Sequence, residues 1–192
     1  MKVTRQQAAE NRIRVLNLAS RRFRERGFHG LGVADLMNEA GLTHGGFYKR
    51  FKSKEDLIAQ ACAAAISDNL AGYQQLAAQN EGSAFESIVA GMLSAGHRDA
   101  PAEGCVLAAL GPDISRADPS TRHEVTKGIK NILDCLGGLM SGNSRMRIRE
   151  KSLSTYATIV GALVLARAVD EPELSEEILN AAQASITVTA AK

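Results

Sequence analysis

The stretch from Gly41 to Lys54, Gly-Leu-Thr-His-Gly-Gly-Phe-Tyr-Lys-Arg-Phe-Lys-Ser-Lys, packs a chain reversal, a helix start and a run of cations into consecutive positions. Just upstream, Val33, Leu36, Met37 and Ala40 fall at helical spacing and form one apolar face. Gly41 ends that helix, because the residue beyond a helix C-terminus usually adopts positive φ, which glycine does without steric cost. Thr43, two residues on, is placed to cap a second helix through its hydroxyl. In that second helix Phe47 and Phe51 are one turn apart and point inward, which leaves His44, Gly45, Tyr48, Lys49 and Arg50 toward solvent. The pattern predicts a helix-turn-helix with a cationic outer face.

The rest of the chain reads as further helices. Residues 5–26 are predicted as a first helix with Ile13, Leu16, Ala19 and Phe23 on its apolar face and arginines on the others, stopped by Gly27. Ser53 is an expected N-cap for a long helix from Lys54 to about Gln79, in which Leu57, Ile58, Ala61, Cys62, Ala65, Ile66, Leu70 and Tyr73 keep helical phase. At 1.5 Å per residue such a rod spans roughly 40 Å, enough to couple two domains. Phe85 to Leu93 marks a helix reaching about Gly96, and 97–104 is expected to be a loop. A short helix from Cys105 is expected to end at Gly111-Pro112, since proline disfavours helical geometry in the residue before it. Asp118-Pro119 combines a cap with a first-turn proline and opens the next helix. The last two helices are placed at about 146–170 and 175–188. No strand pattern is visible, so the fold class is all-α with about nine helices. The predicted domains are 1–53, a head, and 54–192, a helical body.

Charge divides along the same line. The chain of 192 residues has a net charge of only +2, yet residues 1–52 carry +7 and residues 53–192 carry −5. A basic head on an acidic body suits a polyanion at one end and argues against nucleic acid wrapping the whole molecule. The sequence has no apolar run of membrane-spanning length and no hydrophobic signal core, so a cytoplasmic, nucleoid-associated protein with no membrane partner is expected. Three widely spaced cysteines show no Cys-x-x-Cys pair. No nucleophile with a positioned base, carboxylate pair or metal spacing stands out, so neither catalysis nor a metal or cofactor is expected.

Arg22-Phe23, Gly27-Phe28, Val33-Ala-Asp-Leu36, Ala40-Gly-Leu-Thr-His-Gly-Gly-Phe-Tyr48 and Phe51-Lys-Ser-Lys-Glu-Asp-Leu57 together resemble the N-terminal domain of tetracycline-repressor (TetR) family regulators. The likeness runs from about residue 12 to 58. One departure is Gly32, where the family often has Ser or Thr ahead of the valine of its second helix. The resemblance implies a bacterial DNA-binding transcriptional regulator, by default a repressor, with His44 and Lys49 at base edges in the major groove. It assigns Thr43, Tyr48, Arg50 and Lys54 to phosphates and lets Gly45 and Gly46 bring the backbone close to the duplex.

It further implies a homodimer on a palindromic double-stranded operator, paired through the last two helices, and release by an unidentified small-molecule inducer bound among the long helix and those after it. Cys105, at the start of a short helix where the macrodipole favours thiolate, is a candidate sensor thiol for electrophiles; a small packed core residue is the plainer reading. An architectural DNA-binding protein without sequence preference is the alternative, since it too needs a basic head and a dimer.

Overall fold

The computed structural model describes residues 4–80, 82–142 and 144–190, with the side chains of the last two of these left aside. Its elements are α1 (Arg5–Arg26), α2 (Val33–Glu39), a single 3-10 turn (His44–Gly46), α3 (Lys54–Gln79), α4 (Ala84–Met92), α5 (Ala95–Asp99), α6 (Val106–Ser115), α7 (Pro119–Gly138), α8 (Arg145–Ala168) and α9 (Pro172–Ala190). The described residues contain no strand, and the all-α expectation holds.

The local signals act where the sequence puts them. Ser53 caps α3 by accepting the Asp56 N–H at 3.2 Å. Asp118 caps α7 by accepting the N–H groups of Ser120 and Thr121, with Pro119 in the first turn where its missing donor costs nothing. Gly41 has φ of +70°, the left-handed conformation that a side chain disfavours.

Packing redraws other details. On α1 Ala19 and Phe23 are buried and Leu16 packs against the core as expected, but Ile13 is 56% exposed and Val15 is fully buried instead. A short helix, α5, stands where a loop is expected. Helix α6 does not stop before Pro112 but runs through it to Ser115. The proline removes one N–H from the helical ladder, yet Val106, Leu110 and Ile114 are all buried along one face, and that burial outweighs one lost hydrogen bond.

Helix α3 is the spine. Its first turns pack on α1 and its length packs on α7, and α8 lies against α7, α6 and α9. One continuous core runs from Phe23, Phe47 and Phe51 in the head through Leu57 and Ile66 on α3 to Ile88, Leu136, Ile159 and Leu163 in the body. Among the described residues no helix is long and apolar enough to cross a membrane, and no cluster of metal-ligating side chains is present.

Candidate nucleic-acid interface

The reading element is shorter than the sequence suggests. Only His44 to Gly46 forms regular helix, of the tighter 3-10 kind, and the chain then continues through hydrogen-bonded turns in which the Phe47 carbonyl accepts from Arg50 and Phe51. Thr43 takes the N-cap position, but its hydroxyl makes no cap hydrogen bond and is left facing solvent. Two glycines in a three-residue helix explain the weak winding, since glycine loses more backbone entropy on ordering than any other residue.

Aromatic packing supplies the rigidity that the short ladder does not. Phe47 is fully buried and Phe51 nearly so, with ring centroids 5.5 Å apart. Burying a phenylalanine contributes roughly 1.5–3 kcal/mol, so the pair anchors the turn firmly. Tyr48 stands edge-on to Phe47 at 5.2 Å and to His44 at 6.1 Å while remaining 66% exposed. From inside, Arg12 of α1 covers the Phe51 ring at 5.2 Å and donates to Gln60, which donates in turn to Asp56. The second Asp56 oxygen accepts the Lys52 N–H at 2.9 Å. These braces escaped the sequence reading. Asp56, three residues after the Ser53 cap, carries the one signal that could have pointed to them.

Thr43, His44, Gly45, Tyr48 and Lys49 thus lie together on one exposed surface, and a Cβ on Gly45 would meet nothing within 4 Å. Gly46 is half-buried, with Met37 beneath it. Two cations are engaged differently from the rest. Arg50 folds back and donates from Nη1 to the Gly46 carbonyl, while its Nε is buried without a partner. Lys54 donates to the Leu31 carbonyl at 2.9 Å, which ties the start of α3 to the loop before α2. Gly32 offers α2 no side-chain cap; the Asp35 carboxylate lies close by instead. A further brace joins α1 to α2: Arg22 donates to both Glu39 and Glu25, which holds its guanidinium more firmly protonated and the Glu39 carboxyl below the usual carboxylate range.

Residues 15–61 match the family model described as bacterial regulatory proteins, tetR family. Over these residues the chain carries a TetR-type N-terminal domain. Curated relatives match over short stretches. An uncharacterized HTH-type transcriptional regulator of Bacillus subtilis, YdgC, is 41% identical over 51 residues, covering 27% of this chain and 26% of its own. The HTH-type transcriptional repressor KstR2 of Mycolicibacterium smegmatis is 33% identical over 73 residues, covering 38% of this chain and 36% of its own. The matched part is thus well under half of each relative's length.

Solved structures agree over the whole fold. Escherichia coli NemR in its reduced form superposes with a TM-score of 0.78 at 20% identity, covering 93% of this chain and 96% of that one. A TetR regulator from Chloroflexus aurantiacus gives 0.77 at 22%, covering 95% and 96%. At such identity the likeness is one of architecture.

In the body of the chain, α3, α4, α5 and the segment after it border an open cleft of about 490 Å³ lined by Tyr73, Met92, His97 and Glu103, among others. Glu103 reaches out of it to Arg21 of α1 at 2.7 Å. His97 accepts the Cys105 N–H at its Nε2, and burial followed by the nearby Arg167 charge holds its imidazole pKa below the ordinary value. Cys105 itself is 1% exposed, at the N-cap of α6, with its Sγ 3.8 Å from the Tyr156 hydroxyl. The thiol therefore has no direct path to a solvent-borne electrophile in this conformation. Cys62 is buried as well, which pushes its thiol up to about 12.

Proposed function

We propose that this chain is a DNA-binding transcriptional regulator of the repressor type, reading a palindromic operator as a homodimer and released by a small molecule. The observation that carries the reading is the exposed surface of Thr43, His44, Gly45, Tyr48 and Lys49, seated on the buried Phe47 and Phe51. A surface held by core aromatics keeps its shape against a groove, and the open Gly45 lets the backbone approach. His44 and Lys49 take base edges, whereas Thr43 and Tyr48 hydroxyls and the cations of Arg50 and Lys54 take phosphates. Arg50 keeps its clasp on the Gly46 carbonyl through Nη1 and offers its Nη2.

Support for the dimer comes from the last two helices. After packing on each other, α8 still exposes Leu153 and Val164, and α9 exposes Leu174 and Val188. Leu153, Val160 and Val164 follow helical seam spacing, as do Leu174, Ala181 and Val188 seven residues apart. Two recognition surfaces are also what specificity against a genome requires. Release follows if a ligand in the α3–α4 cleft favours a body conformation that displaces the head, by no more than its differential affinity for the two states.

The experiment is a footprint on DNA flanking the chain's own gene, followed by a salt titration. A discrete palindromic footprint is expected; broad unselective protection would favour the architectural alternative. Lys49→Ala should change which operator bases matter, and Arg50→Ala should weaken all sequences and reduce the salt slope by about one unit. Wild-type binding by both variants would refute the site assignment. Leu153→Asp with Val164→Asp should give monomers by light scattering and abolish operator binding.

A further inference from the structure

The acidic body concentrates cations in one place. Residues 145–151, Arg-Met-Arg-Ile-Arg-Glu-Lys, hold four cations against one carboxylate, although residues 53–192 as a whole carry −5. These residues open α8, whose first turn has no acidic side chain. Positive charge there opposes the helix macrodipole, so the placement costs stability unless something negative offsets it.

A groove of about 680 Å³ lies between this end of α8 and the last turns of α7. It exists because Gly137 has no side chain: a Cβ there would come within 2.9 Å of Ser152 Oγ and 3.2 Å of Ile148 Cγ2. The two helices close on each other and leave an apolar floor of Leu133 and Ile148. The rim is charged. Lys130 and Asp134 stand one turn apart on α7, facing Arg145 and Arg149 one turn apart on α8. Arg149 donates to Asp134 at 3.2 Å, and among the described residues that ion pair is the only one drawing on the rim, so Lys130 and Arg145 keep their charge uncompensated. The Ser152 hydroxyl is already spent on the Ile148 carbonyl.

The geometry points to a binding site for an anionic amphiphile: a carboxylate held between Lys130 and Arg145, with its hydrocarbon laid on Leu133 and Ile148. The volume falls within the range of small-molecule sites, and an apolar floor with a few convergent polar groups is their usual composition. The paired Arg149 and Asp134 would fix the width of the rim rather than grip the ligand. The site is separate from the cleft between α3 and α4, and the inference stands whether or not the head reads DNA.

Calorimetric titration of the full chain with decanoate, decyltrimethylammonium and inorganic phosphate tests it. Decanoate should bind one per chain and the other two should not bind measurably, because one inverts the charge and the other has no tail. Lys130→Gln and Arg145→Gln should each weaken decanoate by about tenfold, as expected for loss of a charge-assisted contact. Both side chains are exposed, so the fold should tolerate the changes, with unchanged circular dichroism as the check. Equal binding of the cationic amphiphile, phosphate binding as tight as decanoate, or unaltered decanoate affinity in both variants would each overturn the proposal.

Discussion

Helices α3 and α7 approach closely at Gly128, and replacing that residue by alanine tests whether the spine of the fold depends on it. A Cβ on Gly128 would lie 2.5 Å from Ile66 Cγ2 and 3.1 Å from both Cβ and Cδ1. Ile66 is 3% exposed and has no room to turn away, so the two helices must separate by about 1 Å to restore ordinary contact. Overpacking costs typically about 1–3 kcal/mol, and a 2.5 Å approach to a buried β-branched side chain belongs in the upper part of that range, about 2–3 kcal/mol. Alanine regains up to about 1 kcal/mol of helix preference relative to glycine, which leaves a net loss of about 1–2 kcal/mol. For a chain of this size that lowers Tm by about 2–8 °C, measured by circular dichroism at fixed protein concentration.

A second variant distinguishes crowding from any other effect of the substitution. Ile66→Ala alone should cost about 2–5 kcal/mol through the cavity it opens. Combined with Gly128→Ala, the new methyl enters that cavity, and the pair should be less destabilised than the sum by about 1 kcal/mol or more. Strict additivity, or a Gly128→Ala protein as stable as its parent, would refute the view that this close approach holds the body to its rod.

Two further predictions concern pH and capping. Because burial lowers the His97 pKa from its ordinary value of 6.5, the unfolded chain takes up the proton first as the solution is acidified, so stability present above pH 6.5 is lost as the pH falls below it. His97→Gln should flatten the fall in Tm between pH 7.5 and 5.5; an unchanged slope would exclude His97 as its source. Asp118 accepts from two backbone N–H groups and from the Ser120 and Thr121 hydroxyls, which hold its carboxyl at about 2, so its contribution is present above the usual 3.8 and lost as the pH falls toward 2. Asp118→Ala should cost about 1–2 kcal/mol in urea unfolding at neutral pH and Asn far less, since Asn can still cap. Equal losses in the two variants would show that charge, not capping, matters there.

What the sequence determined by itself is whatever depends on residues within a turn or two of one another. The Ser53 and Asp118 caps, the positive φ of Gly41 and the apolar phase of α3 follow from hydrogen bonds and steric limits spanning a few positions, and so does the inward pairing of Phe47 with Phe51. The exposed placement of His44, Tyr48 and Lys49 agrees with that pairing, although the chain there winds as one 3-10 turn followed by hydrogen-bonded turns. Tertiary structure decided the rest. Pro112 lies inside a helix because α6 buries three side chains against elements distant in sequence, and Val15 rather than Ile13 is buried once α1 is packed in the fold. The ties from Arg50 to Gly46 and from Lys54 to Leu31, the Arg21–Glu103 pair and the α7–α8 groove all depend on how separate segments approach. Local pattern records the preferences of a segment, whereas the choice among partners for a long, flexible cation is made only when packing brings carbonyls and carboxylates within its reach.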